Sequence, residues 1–250
     1  MLEVLGVALP AVGLVGLVAV AVAAVLGGAA QSTAGFGAAF VTVPALAVVA
    51  PELLPGAMLV AALPLSIVMA VTGWAHLDRA AALRLMLGRV PGIALGTAIV
   101  AVADVRWVTA LIAVVLLGAV GAAAAGTHLM VTPRRELIAG VVSGVTGTAA
   151  ALGGPPIALL YRGREPHVVR PTLGVVWAVG IVLALPGLWL TGSFDATQAV
   201  VGAVLGAFVL LGLAASRGVV RRLSVARVRT FVLVWAFVGG LAALLRVLLA

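Results

Sequence analysis

The segment GTAAALGGPPIALLYR (Gly147–Arg162) breaks an apolar chain with two glycines and two prolines in succession. An earlier segment, QSTAGFGAAFVTVPAL (Gln31–Leu46), has the same plan, in which small residues and a glycine break lead into a short apolar run. Proline lacks a backbone N–H and glycine permits irregular backbone, so both segments favour an interrupted helix over a continuous one. Two such breaks in one apolar chain predict a pair of discontinuous helices.

The composition around these breaks is that of a membrane protein. Of the 250 residues, 64% are hydrophobic and 9% are charged, and no charged residue occurs from Val4 to Pro51. A helix needs roughly 20 apolar residues to cross the hydrocarbon core, and the runs do not alternate as the strands of a membrane barrel do. We therefore predict an all-α integral membrane protein with a single membrane domain over residues 1–250.

The chain contains a weak internal repeat. GAMLVAALPLSIVMAVTGW (Gly56–Trp74) matches PTLGVVWAVGIVLALPGLW (Pro171–Trp189), and each segment ends in a Trp suited to a membrane interface. Together with the two broken segments, this match predicts repeats at residues 21–125 and 137–247. An extra helix near Val4–Val20 is expected to precede the first repeat.

The distribution of basic residues bears on the topology. All fifteen are Arg, and we interpret them as lying in short loops between apolar runs. If each broken segment is a full crossing, nine Arg face one side of the membrane and six face the other. If each is a re-entrant hairpin, thirteen share one side, and only Arg106 and Arg246 lie opposite. The positive-inside rule favours the hairpins.

Each repeat is then one re-entrant hairpin, with legs of about 10–12 residues, followed by three spanning helices. Three is odd, so the repeats have opposite orientations, as in many secondary transporters. With the extra helix, this inverted repeat predicts about seven spans and two hairpins, and eight or nine spans is the alternative. We expect most Arg-rich loops in the cytoplasm and the protein in the inner membrane of a bacterial cell.

The hairpin tips carry the predicted substrate site. Each tip opens a helix whose N-terminus offers backbone N–H donors and a partial positive charge near the bilayer midplane. Such termini bind anions, so we predict an anion site that needs no basic side chain. Packing is the alternative role for small residues in membrane helices. The predicted substrate-binding residues are Gln31, Ser32, Thr33, Gly35, Phe36, Gly37, Thr146, Thr148, Gly153, Gly154 and Pro155.

Other functional classes lack their residues. Cys and Lys are absent, which excludes thiol chemistry and Schiff-base chemistry. No His or carboxylate group has the spacing of a metal site, and no GxSxG motif occurs. We therefore expect no enzyme activity, catalytic residue, metal or cofactor, and no nucleic-acid partner, because a basic domain is missing. Glu136 beside Arg135 is interpreted as a surface charge, and Ser143 as a packing or back-bonding residue.

The motifs QSTAGFGAAFVTVPAL and GVVSGVTGTAAALGGPPIALLY together resemble those of the TauE/SafE sulfite exporter family. The resemblance extends from about Leu17 to Leu245, and its second motif is the more specific one. The chain departs from the family pattern at Ala38-Ala39, where glycines or large apolar residues are frequent, and at Ala151, where glycine is common. The resemblance implies a transporter of sulfur-containing or organic anions such as sulfite, sulfonates or sulfoacetate. It also implies roles for the residues that match the motifs: Gly35, Phe36, Gly37, Gly153, Gly154 and Pro155.

These observations predict a secondary permease of a small anion that works by alternating access and exports its substrate. Its expected partners are a small anionic solute and membrane lipid, and a homo-oligomer is left open. An anion channel of similar build is one alternative, which conductance would reveal. A non-transporting membrane scaffold or assembly protein is another, and it would tolerate replacement of the tip glycines.

Overall fold

The computed structural model describes residues 2–34, 37–125, 129–161, 163–216 and 225–249, with side chains except at 2–12, 32–34, 225 and 226. Within these ranges every long element is an α-helix and there is no strand, so the all-α prediction is confirmed. The helices are α1 (Leu2–Ala34), α2 (Ala38–Val49), α3 (Gly56–Thr72), α4 (Arg79–Val102), α5 (Val105–Ala124), α6 (Pro133–Ala150), α7 (Gly154–Leu160), α8 (Pro166–Leu190), α9 (Ala196–Ser216) and α10 (Val225–Leu249).

Six of the described helices are long and apolar enough to cross a membrane, namely α1, α4, α5, α8, α9 and α10. The chain is therefore a multi-pass membrane protein. Two further apolar helices are shorter, since α2 has 12 residues and α3 has 17. Because α3 is close to the length of a span, the expected number of about seven spans stays a prediction.

The extra N-terminal helix is not separated from the first repeat at Val20. Instead, α1 continues to Ala34, and the kink in this helix is at Gly13, whose φ of 66° and ψ of 154° are not helical. No proline follows Gly13 within α1, so nothing in this stretch removes a helical hydrogen bond. The predicted repeat boundary at residue 21 consequently falls inside a helix.

The two breaks predicted from the sequence are present. Before α2, Gly37 has a φ of 150°, in the region that favours glycine. Between α6 and α7 the chain turns at Ala151, whose left-handed φ of 56° brings the Leu152 N–H to the Thr146 carbonyl at 3.0 Å.

The legs of the two broken segments are unequal in length. A leg of 10–12 residues is found in α2, whereas α6 has 18 residues and α7 has seven. Pro155 lies in the first turn of α7, where its missing N–H removes no intrahelical hydrogen bond. The expected leg length is therefore right for α2 and wrong for α6 and α7.

Helices from the two predicted halves pack on each other crosswise. Helix α1 of the first half lies against α9 of the second half, and α6 of the second half lies against α4 of the first. Likewise α3 lies against α9 while α8 lies against α4, and α2 lies against α10 while α7 lies against α5. Each contact has a counterpart with the halves exchanged. The repeat boundaries and the inverted orientation stay predictions.

Glycines bring α4 and α6 into backbone contact. A Cβ added to Gly88 would lie 2.0 Å from the Leu137 carbonyl oxygen. A Cβ added to Gly140 would lie 2.3 Å from the Leu85 carbonyl oxygen. Small residues permit this close approach in membrane helices, where dispersion contacts supply much of the association energy. The contact fixes residue 89 of α4, one position beyond Gly88, against the middle of α6.

A cavity at the two helix breaks

Residues from both helix breaks meet at one cavity of about 70 Å³. A single water needs roughly 10–15 Å³, so the cavity is large enough for a small hydrated solute. Its wall contains five of the predicted substrate-binding residues: Gln31, Gly37, Gly153, Gly154 and Pro155. Most of the remaining wall is apolar, from Ala38, Ala39, Phe40, Met58, Leu59, Ala62, Leu65, Ala151, Trp177 and Ile181.

The two predicted threonines of α6, Thr146 and Thr148, lie outside this wall. Thr148 is buried against α4, where a Cβ on Gly96 would lie 2.9 Å from the Thr148 Cβ. The Thr146 hydroxyl lies 2.9 Å from the Val142 carbonyl oxygen and 3.0 Å from that of Leu152. In this structure Thr148 therefore packs α6 on α4, and Thr146 stabilises the end of α6.

Four of the predicted residues at the first break lie partly or wholly outside the described part of the chain. The backbone of Ser32 and Thr33 belongs to α1, but their side chains are outside the described part of the chain. Gly35 and Phe36 lie wholly outside the described residues. Their predicted roles stay predictions.

Gln31 caps the first half-helix. Its side-chain oxygen accepts a hydrogen bond of 3.0 Å from the Ala38 N–H, the first N–H of α2. Its amide nitrogen donates to the Met69 sulfur at 3.3 Å. This hydrogen bond supplies an acceptor for one of the N-terminal N–H groups of α2, which have none within the helix. Gln31 thus positions the start of α2 beside the cavity.

The cavity also contains a cationic side chain that the sequence interpretation placed elsewhere. Arg89 lines the wall and is 2% exposed. It lies ten residues after the first residue of α4, which is about 15 Å along the helix and half of a 30 Å hydrocarbon core. The expectation of a loop position for Arg89 is wrong, and the cavity wall contains a basic side chain that the predicted site did not include.

A simple length argument locates Arg89 within the span. Only the 14 residues Val90–Ala103 separate Arg89 from Asp104. A crossing needs roughly 20 residues, so a span in this region has to include Arg89. Arg89 therefore carries no topology information, and twelve rather than thirteen Arg remain on the predicted cytoplasmic side.

Arg89 is tied to the second helix break through Ser143. Its Nη1 donates to the Ser143 hydroxyl oxygen at 2.5 Å and lies 3.3 Å from the Ser143 carbonyl oxygen. The Ser143 hydroxyl in turn donates to the Gly153 carbonyl at 2.6 Å. Ser143 consequently bridges the guanidinium and the break, which neither packing nor a hydrogen bond to its own helix would predict.

Three glycines make room for the guanidinium. A Cβ would lie 3.0 Å from Nη2 at Gly147, 3.0 Å from Nη1 at Gly153 and 2.1 Å from Nε at Gly180. Gly153 itself has ordinary αR dihedrals, with φ −74° and ψ −10°. Of the two reasons for a glycine at this tip, close approach and unusual dihedrals, the structure shows close approach at Gly153. The three glycines form a slot that holds the guanidinium plane.

The charge of Arg89 has no acidic partner in the described part of the chain. The ion pairs found there are Arg84 with Glu136 and His167 with Glu165. The buried Arg89 Nε has no hydrogen-bond partner among the described residues, and neither has the buried indole N–H of Trp177 on the cavity wall. A buried unpaired charge is costly, and ionisable residues within membrane spans usually serve function.

The second half-helix contributes fewer donors than the sequence suggested. Its first turn contains Pro155 and Pro156, which have no N–H, so only two of the four N-terminal donors of a helix remain. With seven residues, α7 also has a short dipole. The positive potential at the cavity therefore comes mainly from Arg89 and the start of α2.

A second polar cluster lies near the start of α6, away from the cavity wall. Glu136 is 2% exposed and accepts hydrogen bonds from the Arg84 Nε and the Tyr161 hydroxyl. Its interpretation as a surface charge is wrong, because α4 and the residue following α7 cover it. The cluster ties the end of α7 to α4 and α6.

The fold and the cavity define a class of protein, a helical multi-pass membrane protein with a solute-sized cavity at two broken helices, mostly apolar and lined by one arginine. The model of the sulfite exporter TauE/SafE family matches residues 20–243, and the chain belongs to this family. The resemblance found in the sequence motifs is thereby confirmed. A comparison with curated proteins and a comparison with solved structures each found no match. As a member of this family, the chain is a membrane transporter.

Proposed function

We propose that the protein is a secondary permease that exports a small sulfur-containing anion through the bacterial inner membrane, with Arg89 as its main anion-binding group. One observation carries this proposal. Arg89 is buried near the middle of a spanning helix, has no acidic partner among the described residues, and lines a cavity shared by both helix breaks. A bound anion would supply the missing counter-charge.

The neighbouring groups support an anion over a cation. The start of α2 faces the cavity through Gly37, Ala38 and Ala39, and a helix N-terminus carries partial positive charge. The Trp177 indole adds a neutral donor. No carboxylate side chain occurs among the described residues of the wall, which leaves a cation without a charged ligand there.

The packing of the helices supports alternating access. Contacts between the halves recur with the halves exchanged, and the two breaks meet at one cavity. Transporters built from inverted repeats bind substrate where broken helices of the two halves meet, and they rock one half against the other around that site. The family description and the small cavity support sulfite or a short sulfonate as the cargo.

The test compares two Arg variants of the same helix in proteoliposomes. Arg89→Gln should reduce sulfite flux per folded molecule by about 100-fold, because at least one or two charge-assisted hydrogen bonds to the anion are lost. Arg79→Gln, at an exposed position at the start of α4, should leave the flux unchanged.

Equal flux in the two variants would contradict the role of Arg89. The direction of transport can be measured in vesicles in which the protein has one defined orientation. Faster flux toward the cytoplasmic face than away from it, under matched gradients, would contradict export. Ion currents of channel size through single molecules would contradict a permease that works by alternating access.

A further inference from the structure

We propose that the cavity selects anions with one negative charge and rejects dianions, so that sulfite is carried as hydrogen sulfite. This inference rests on the proposed function and concerns the charge state of its substrate. The observation that motivates it is the single guanidinium of Arg89 in a cavity whose other walls are mostly apolar.

Among the described residues of the cavity wall, one side chain carries a formal charge. Three of the elements that line it, α2, α3 and α7, contain no ionisable residue, and Gly35 and Phe36 beside the first break have none either. Arg89 is the sole ionisable side chain of the wall in the part of the chain that the structure describes. One guanidinium balances one negative charge.

Other ionisable groups on the helices around Arg89 lie near the helix starts, away from the level of the cavity. The nearest along α4 is Arg84, five residues away, and on α6 Glu136 is seven residues before Ser143. These spacings correspond to about 7 and 10 Å along the helix axis, and Arg84 and Glu136 neutralise each other. The remaining ionisable groups on the three helices around Arg89, which are α4, α6 and α8, are Arg79, Arg134, Arg135, His167 and Arg170.

The apolar wall makes a second negative charge costly. Met58, Leu65 and Ile181 line the cavity and offer neither a hydrogen bond nor a counter-charge. An ion in such surroundings loses hydration, and the loss is offset only where an opposite charge or a donor replaces the water. A monoanion is balanced by Arg89, whereas the second charge of a dianion would meet only the partial positive charge at the start of α2.

The first experiment compares methanesulfonate with sulfate as probes of wild-type protein in proteoliposomes. Both are tetrahedral sulfur oxyanions, and they differ by a methyl group in place of a charged oxygen. We expect methanesulfonate to be transported at least about 100-fold faster than sulfate, since an uncompensated charge costs several kcal/mol and 1.4 kcal/mol is tenfold. Equal rates for the two probes would overturn the inference.

The second experiment uses the proton equilibrium of sulfite near neutral pH. At constant total sulfite, flux should fall as pH rises, because hydrogen sulfite is converted to the dianion. Methanesulfonate remains a monoanion over this range and should give a flat profile, which shows that the protein itself is not titrating. A sulfite flux that stays constant or rises with pH would overturn the inference.

The two proposals fail in distinguishable ways. Transport of sulfate as fast as methanesulfonate, with loss of both in Arg89→Gln, would overturn the monoanion inference and leave the permease function standing. Absence of transport for sulfite, methanesulfonate and sulfate in correctly folded protein would overturn both proposals.

Discussion

Replacing Gly180 with Ala should displace Arg89 and stop transport while the fold stays in place. A Cβ at residue 180 would lie 2.1 Å from the Arg89 Nε, 2.9 Å from Cζ and 3.0 Å from Cδ. Ordinary contact begins at 3.4 Å, so Nε has to retreat by about 1.3 Å. The Nη1 to Ser143 Oγ hydrogen bond of 2.5 Å would lengthen or break with this movement.

The expected loss of transport follows from the size of that displacement. A misplacement of about 1 Å in a binding or reacting group can cost roughly 100-fold in rate. A lost charge-assisted hydrogen bond of about 1.5–3 kcal/mol corresponds to roughly 10–150-fold in affinity. Ala is a better helix former than Gly by about 1 kcal/mol, so the substitution should not weaken α8 through helix propensity.

The assay is sulfite flux into proteoliposomes, divided by the amount of folded protein, with the thermal midpoint measured in parallel. Gly118→Ala is the matched control, because a Cβ at this glycine of α5 meets no heavy atom within 4 Å. We expect wild-type flux from the control and a loss of about 100-fold for Gly180→Ala. Wild-type flux from Gly180→Ala at unchanged stability would refute the assignment of Arg89 to the binding site.

Three further predictions concern neighbouring features. Gly153→Ala should reduce flux at least about tenfold, because a Cβ at this residue would lie 3.0 Å from Arg89 Nη1. Gly154→Ala should transport normally, because the nearest atom to its Cβ would be 3.7 Å away. Similar flux in the two variants would contradict the slot formed by the three glycines. Arg89→Gln should keep or raise the thermal midpoint, because relief of several kcal/mol of charge burial exceeds the roughly 1.5–3 kcal/mol of lost hydrogen bonding. A net gain of about 1 kcal/mol corresponds to roughly 2–4 °C, and a clear drop in midpoint would show that the charge is compensated. Glu136→Gln should destabilise the protein by about 1–3 kcal/mol. This is less than the full cost of breaking a buried ion pair, because the Arg84 side chain is one-third exposed. Calorimetry that shows no change would contradict a stabilising role for the polar cluster near the start of α6.

Local chemistry determined the parts of the fold that the sequence predicted correctly. Long uncharged runs can be solvated only by lipid, and lipid leaves helices as the structure. The break at Gly37 uses a positive φ that glycine permits, and the break before Gly154 leads into Pro155 and Pro156, which cannot donate to the hydrogen bonds of a continuing helix; both effects act within a few residues. The gathering of both tips at one cavity was expected from their paired positions and is present.

The sequence interpretation failed where a residue's meaning depends on its partner. Ser143, Glu136 and Arg89 are ordinary residue types near apolar runs, and nothing in their immediate neighbours states what they touch. Arg84 meets Glu136 over a separation of 52 residues, and Arg89 meets Ser143 over 54. Those pairings exist because glycines let α4 and α6 approach to backbone contact.

The sequence by itself therefore determined the solvent of this protein, its helical class, its family motifs and the positions of its two helix breaks, since each depends on composition or on short-range backbone chemistry. Only the tertiary structure decided that one arginine lies buried at the breaks without an acidic partner among the described residues, and that another arginine is neutralised by a buried carboxylate. The physical reason is that a charge in a membrane protein is defined by the groups that replace its water, and helix packing across the chain selects those groups.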